Sequence, residues 1–336
     1  MARKLRVWEV LKRKEEIMRS KVPVCVFIVM TIGLQIASGV FAAEAPEPRS
    51  RSEVRAVLAK APKPPMIKKL RELNVVLVAF KKDHGPNEHD YPLWQQRWAV
   101  LLGGEEAGQE KQVNLYGPAP KRGQKMALAG APKVQVSTAD GWPSDEQFEK
   151  ADLIVMFCYG QWDQQRLATL DKFLSRGGGF VLLHPAVIVP KGKDVVEQAA
   201  KLIGLAWEYD YTRWRHGPMD LKIAAPDHPI CLGLPETIHL LDEAYWPLKG
   251  DRSKITVIGT SDETISKDSD QTKPEPMFYT YEYGKGRVFS CILGHYNWTF
   301  DDPYVRTLLL RGMAWAAGES PYRFDRLVLR GIKLRE

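Results

Sequence analysis

From about Leu73 onward the chain alternates between short continuous apolar runs and segments with apolar residues every three or four positions. "NVVLVAF" (74–80), "DLIVMFCYG" (152–160) and "GFVLLHPAV" (179–187) are aliphatic without polar alternation, as in strands covered on both faces. "KVQVSTA" (133–139) reads as another strand. Between them, "YPLWQQRWAVLL" (91–102), "PSDEQFEKA" (143–151), "DQQRLATLDKFLSRGGG" (163–179) and "DVVEQAAKLIG" (194–204) carry helical spacing. Ser144 with Gln147 three residues on is a capping-box signal, and a further helix starts near Asp163 and ends at Gly177. Asp302 before Pro303 reads as a helix cap, and Asp90 before Tyr91-Pro92 fits the same role.

Farther on, "MDLKIAA" (219–225), "KITVIGTS" (254–261) and "PMFYTYEYGKGRVFSCILG" (276–294) read as strands. The last is a hairpin turned at Gly284-Lys285-Gly286, and the helix "PYVRTLLLRGMAWAAG" (303–318) follows it. Strands alternating with short helices predict a parallel sheet with helices on both faces, in one domain over residues 73–320. Residues 103–132 have no sustained period and are expected to be an inserted surface loop. Residues 44–72 read as a Pro- and charge-rich linker with one short helix over 52–60, and residues 321–336 as a C-terminal extension.

Residues 1–43 stand apart. A basic stretch precedes the apolar run "VPVCVFIVMTIGLQIA" (22–37) and then small residues suited to cleavage after Ala42 or Ala43. This order is that of an export signal, and the run is short for a spanning helix. An uncleaved anchor is the alternative. The location expected is periplasmic or extracellular, with any membrane contact confined to this segment. Its eight basic and three acidic side chains account for five of the seven net positive charges, leaving the remainder near +2. No basic patch argues for nucleic acid. Cys158, Cys231 and Cys291 remain, an odd number without CxxC spacing; one disulfide is possible, and buried free thiols are the commoner outcome.

Chemistry enters with the polar residues that follow the strand-like runs, because ligands of open α/β sheets bind beyond the strands' carboxyl ends. Asp83 and His84 follow "VVLVAF" in the loop "KKDHGPNEHDYP" (81–92), which also holds His89. Tyr159 follows "IVMFC", His184 follows "FVLL" and His295 follows "FSCILG". If those strands are neighbours, His84, His89, His184 and His295 share one rim as acid/base groups, with Asp83 as an orienting group. The same imidazoles suit a divalent metal, although no HExxH-type spacing is present. Tyr159, Trp162, Arg213, Trp214 and His216 are candidates to shape a polyol site. Taken one at a time, each has a blander reading: His84 as part of a Gly-Pro turn, His184 as a satisfied core histidine, Trp214 as loop packing. His228 and His239, the latter in "IHLLDEAYWP", fall in Pro-bounded turns and read as structural.

"VVLVAFKKDHGPNEHDYPLWQQRW", "LDKFLSRGGGFVLLHPAV", "RHGPMDLKI", "DHPICLGLP", "DEAYWPL" and "YGKGRVFSCILGHYNWTFDDPYVRTLLLRGMAWAAG" together resemble the ThuA-like, or trehalose-utilisation, family, over about residues 73–318. The resemblance implies a flavodoxin-like fold related to class I glutamine amidotransferases. It also implies a loose link to sugar catabolism through trehalose and oxidised (keto) sugars, hence a small-molecule carbohydrate partner for either a hydrolase or isomerase, or a non-catalytic binding module. The amidotransferase relatives carry a cysteine on a sharp strand-to-helix turn. Here that turn holds His184, and Cys158 ends a different strand, so glutaminase chemistry is not expected.

Overall fold

A computed structural model gives the structure of the protein and describes residues 44–104, 112–117, 130–160 and 162–336. The expected export segment lies outside the described residues, as do 105–111 and 118–129 of the expected loop. In chain order the elements are α1 (Arg51–Ala59), β1 (Leu73–Ala79), α2 (Tyr91–Gly103), β2 (Val134–Asp140), α3 (Asp145–Lys150), β3 (Leu153–Phe157), α4 (Gln164–Ser175), β4 (Gly179–Leu183), α5 (Lys193–Ile203) and β5 (Leu205–Ala206). β6 (Arg213–Ile223), β7 (Thr237–Trp246), β8 (Lys249–Gly250), β9 (Ile255–Thr264), β10 (Thr272–Tyr283), β11 (Gly286–Cys291) and α6 (Pro303–Ala316) complete them.

The helix starts follow from local chemistry. Ser144 and Gln147 form the reciprocal capping box. Asp163 accepts from the Arg166 amide, Asp90 from that of Leu93, and Asp302 from those of Tyr304 and Val305. Each satisfies amides that have no partner inside the helix. α1 is the short helix expected in the linker, and it buries Val54 and Val57.

The main sheet runs β2-β1-β3-β4-β11-β10-β9-β6-β7. Its first five strands are parallel, and β10, β9, β6 and β7 extend it in antiparallel fashion. The α/β architecture is the one the alternation predicts. β3 and β4 are buried at every position, so both of their faces are covered. The hairpin turn lies at residues 284–285 as expected.

Three readings are corrected. "TIHLLDEAYW" is a strand, β7, and not a turn; its pairing with β6 runs from Arg213↔Trp246 to Lys222↔Thr237. β6 likewise begins six residues earlier than the run "MDLKIAA", because Gly217 and Pro218 interrupt the apolar pattern but not the pairing. The C-terminal residues are no appendage: Phe324, Leu327 and Val328 are fully buried. Within the expected loop, the described stretch 112–117 is anchored by buried Val113 and Leu115 and by the Tyr116 amide on Asp301. Cys158, Cys231 and Cys291 are free and buried. Among the described residues no helix is long and apolar enough to cross a membrane.

Candidate functional site

The loops that leave β1, β4 and β11 meet above the parallel strands. The β1 loop is stitched to the β11 loop through its backbone: the His89 amide donates to the His295 carbonyl at 2.9 Å, and the Asn297 amide to that of Asn87 at 2.8 Å. β7 fixes the β11 loop from the other side, because buried Asp242 accepts from the amides of Gly294 and His295, each at 3.0 Å, and from the Thr299 hydroxyl. Gly294 has φ 130°, and a Cβ there would meet the Phe300 ring at 3.0 Å, so the turn that presents His295 requires glycine. Burial pushes the Asp242 carboxyl up, with His184 and the hydrogen bond from Thr299 opposing it.

The four strand-end imidazoles gather in one place. Ring centroids lie 3.9 Å apart for His84 and His89, 4.9 Å for His89 and His184, 4.4 Å for His89 and His295, and 5.6 Å for His184 and His295. His216, from β6, lies 4.5 Å from His295. His184 sits where β4 breaks into the single 3-10 turn His184–Val187, with φ 49°. His89 has φ 40°. Left-handed backbone at two non-glycine residues costs about 1–3 kcal/mol each and concentrates at functional sites.

Glu243 completes the group, and the sequence reading missed it. Its Oε2 is 3.0 Å from His184 Nε2 and 3.0 Å from His295 Nδ1. The signal was available: two adjacent acids, Asp242 and Glu243, inside an otherwise apolar run, where carboxylates are rarely buried without a role. Reading that run as a turn concealed it.

Hydrogen-bond chemistry decides which nitrogens face inward. His184 Nδ1 lies 2.7 Å from the Ile292 carbonyl, which can only accept, so Nδ1 carries the proton and Nε2 presents a lone pair. His89 Nδ1 lies 3.0 Å from Asp83 Oδ1 and 2.7 Å from the Tyr91 hydroxyl, which itself donates to Asp83 Oδ2. His89 Nδ1 therefore donates, and Nε2 is again a lone pair. These two Nε2 atoms face each other at 2.9 Å. The Tyr245 hydroxyl reaches His184 Nε2 at 2.9 Å and Glu243 Oε2 at 3.1 Å. His295 Nδ1 is buried beside the Glu243 carboxylate without a hydrogen-bond partner. Burial and the neighbouring imidazoles of His184, His295 and His84 hold His89 far below the usual imidazole range. Burial works to raise Glu243, but His184 and His295 hold its carboxyl well below the usual carboxylate range. The inner site thus sets a neutral His89 and an ionised Glu243 carboxylate side by side with His184 and His295.

His89, His184, Glu243 and His295 each turn a ligand atom to a common space, all within 4.8 Å of one another. Three imidazole nitrogens and one carboxylate suit a first-row divalent cation, and outer partners such as Asp83, Tyr91 and the Ile292 carbonyl are what orients such ligands. His84 falls outside this inner set. It is half-exposed, with Nδ1 2.7 Å from Asp83 Oδ1, so its Nε2 is available as a base at the mouth.

The other candidates divide. Tyr159 stands at the rim, its ring 6.2 Å from His89; burial and Asp83 push its phenol up to about 12. Trp214 and His216 lie on the site's face of β6, paired across the ribbon with Tyr245 and Glu243. His216 Nε2 is 3.4 Å from Glu243 Oε1. Arg213 does not join them. Alternate residues of a strand face opposite ways, and its guanidinium donates to the Thr264 carbonyl and lies over Trp246. Trp162 is buried, with its indole N–H committed to the Ala186 carbonyl at 3.2 Å, so it braces the turn at His184 and lines no opening. His239 is exposed on β7, beside Asp220; the His228 ring accepts from the Ile230 amide. Cys158 is fully buried, with its thiol pushed up to about 12 by burial and by Asp140, and is no nucleophile at the elbow His184 occupies.

No curated protein matches the sequence. The family model for ThuA, trehalose utilisation, matches residues 118–316. Among solved structures, a ThuA-like protein from Parabacteroides merdae aligns with TM-score 0.51 and 18% identity, over 74% of this chain and 92% of its own. A ThuA-like protein from Bacteroides uniformis aligns with TM-score 0.52 and 15% identity, over 78% of this chain and 99% of its own. At such identities these structures establish the fold and nothing finer. The family match covers more than half of the chain, and the chain belongs to the ThuA, or trehalose-utilisation, family.

Proposed function

We propose that this ThuA-family protein is a metal-dependent enzyme acting on sugars of the trehalose or keto-sugar type, by a hydrolase or isomerase reaction. One observation carries the reading: two buried imidazole nitrogens face each other at 2.9 Å beside an ionised carboxylate and a third imidazole, with all four ligand atoms within 4.8 Å. Imidazole nitrogens and a carboxylate brought this close in a buried space are the donor set that a divalent cation draws together. His89, His184, Glu243 and His295 would hold a divalent cation, which would polarise a sugar carbonyl or hydroxyl as a Lewis acid.

The chain's own groups supply the rest. The Asp83 carboxylate fixes the His84 tautomer, leaving His84 Nε2 to take a proton from the sugar at the mouth and return it to the neighbouring atom. His216, held between Glu243 and the Tyr296 hydroxyl 3.3 Å from its Nδ1, helps to orient the Glu243 carboxylate. Tyr245 donates to the inner cluster and keeps the Glu243 carboxylate oriented. The basic, apolar and small-residue order of residues 1–43 supports an exported location, which cell fractionation with N-terminal sequencing checks.

The deciding experiment measures bound metal by elemental analysis, and turnover of keto-glucosides, in wild type and in His184→Ala and Glu243→Gln. Stoichiometric metal in wild type, lost in both variants together with turnover, is the expected outcome. Metal-free wild-type protein would sink the metal site. Sugar binding without turnover would make the protein a binding module.

A further inference from the structure

The stretch "KAPKPPMIKKLR" (60–71), which leads from α1 to β1, carries five basic residues and no acidic one. Met66 is 54% exposed and Ile67 52%; no other two of the exposed large apolar residues described are adjacent in sequence. The backbone that presents them is fixed. Leu70 is buried in the core, its amide closes the single 3-10 turn Ile67–Lys69 on the Ile67 carbonyl at 3.1 Å, and its carbonyl accepts from the Lys133 ammonium at 2.9 Å. Pro62, Pro64 and Pro65 restrict the chain just before the turn. Arg71 is engaged by Asp152 and Glu319. Lys63, Lys68 and Lys69 are exposed, and none of them has an ion-pair partner among the described residues. Each lies within three residues of Met66, so chain connectivity alone keeps its Cα within about 11 Å of that residue's.

A single exposed apolar residue is ordinary, and lysines by themselves are simply solvated. An aliphatic pair and unpaired ammonium groups on one fixed turn fit a surface that is negative at its face and apolar beneath. A protein partner suits this composition poorly, because protein interfaces enrich aromatic residues and Arg and deplete Lys. Nucleic acid has no use for the aliphatic pair, and the stretch holds no aromatic ring to stack on a base. A bilayer of anionic lipids matches both halves. Aliphatic side chains enter the boundary between headgroups and acyl chains, while lysines reach back to the phosphates.

We propose that Met66 and Ile67, with Lys63, Lys68 and Lys69, dock the domain on an anionic lipid surface. Membrane contact then extends beyond residues 1–43, to which the sequence reading confined it. The turn immediately precedes β1, whose seven residues span about 20 Å. It therefore stands at the amino end of the parallel strands, and the His89, His184, Glu243 and His295 cluster lies beyond their carboxyl ends. Docking in this way leaves the mouth of the site open to the solution.

The test uses residues 45–336, which contain every described element and the buried core and so form an independent folding unit. Residues 1–43 then contribute nothing to binding. Co-sedimentation is measured with vesicles of phosphatidylcholine alone and with vesicles of phosphatidylcholine mixed with phosphatidylglycerol. The unsubstituted protein is compared with a double variant, Met66→Ser with Ile67→Ser, and a triple variant, Lys63→Gln with Lys68→Gln and Lys69→Gln. The unsubstituted protein is expected to bind the mixed vesicles, less so as salt is raised, and to ignore phosphatidylcholine. A lysine near an anionic surface is worth about fivefold in partition, so the triple variant should bind roughly 100-fold more weakly. The double variant should lose about tenfold or more. Both should keep the thermal midpoint, because the altered side chains are exposed. No binding to the mixed vesicles, or binding undiminished in the double variant, overturns the proposal. Binding to polyglutamate or duplex DNA without binding to vesicles overturns it too, and assigns the patch to a soluble polyanion.

Discussion

At the residue scale, the site depends on which nitrogen of each imidazole carries its proton. The Ile292 carbonyl sets this for His184, and Asp83 with Tyr91 sets it for His89. Asp83→Asn offers an amide that can present its N–H to His89 and so favour the wrong tautomer. Metal affinity is expected to fall roughly 10–100-fold, the usual effect of losing an outer partner, with the thermal midpoint little changed because Asp83 is one-third exposed. Competition with a chromogenic chelator measures this, and affinity within twofold of wild type would contradict the tautomer argument. His84, His89, His184 and His295 were legible from sequence because each closes or follows a strand-like run. Arg213 and Trp162 were misjudged because a side chain's direction depends on strand phase and packing, which residue type does not reveal. Glu243 was missed since its strand was.

Elements bring these residues together by two routes. The parallel half of the sheet delivers His184 and His295 from neighbouring strands, β4 and β11. That half was readable, because strands buried on both faces leave unbroken apolar runs. The β6–β7 ribbon delivers Glu243, Tyr245, His216 and Trp214, and it was hard to read. Its strands mix exposed and buried positions, and Gly217 and Pro218 interrupt β6. Backbone pairing of the ribbon with β9 runs through Lys222 and Ile223, side chains of Arg213, Arg215 and Trp246 add bonds to Thr264 and Glu263, and Asp242 ties the ribbon to the β11 loop. Asp242→Ala removes the acceptor of the Gly294, His295 and Glu243 amides and of the Thr299 hydroxyl, and is expected to cost about 1–3 kcal/mol for such unsatisfied groups. It should also displace His295 and reduce bound metal. Urea unfolding together with elemental analysis tests both arms; lost stability with full metal content would show that Glu243 and His89 hold His295 without Asp242. On the opposite side of the site, Gly179 lets β4 approach α6, since a Cβ there would lie 2.4 Å from the Ala316 carbonyl oxygen. Gly179→Ala is expected to destabilise by about 1–3 kcal/mol through overpacking, leaving the metal-site residues untouched.

At the scale of the whole molecule, buried arginines bind the ends of the chain to the sheet. Arg311, on α6, pairs with Asp325 at 2.9 Å and donates to the carbonyls of Ile230 and Leu232. Arg323 pairs with Glu319 and reaches the carbonyls of Arg71, Pro132 and Lys133, at the starts of β1 and β2. The linker joins in through the backbone: the Arg51 amide donates to the Arg335 carbonyl, and the Arg335 amide to that of Arg49. Sequence reading set residues 44–72 apart as a Pro- and charge-rich linker and residues 321–336 as an extension; charged residues are seldom buried unless paired. Here they are paired, and they close the fold. A buried pair gives little net stability over an apolar one, but losing one partner strands the other in a low-dielectric site. Arg311→Ala would leave the Asp325 carboxylate and two carbonyls without their donor, at an expected cost of about 3–5 kcal/mol. Arg311→Ala with Asp325→Leu removes both charges and should recover a large part of that loss. Urea unfolding of the two variants separates the readings: equal destabilisation would mean that α6 and the C-terminal residues are held by Phe324, Leu327 and Val328 alone.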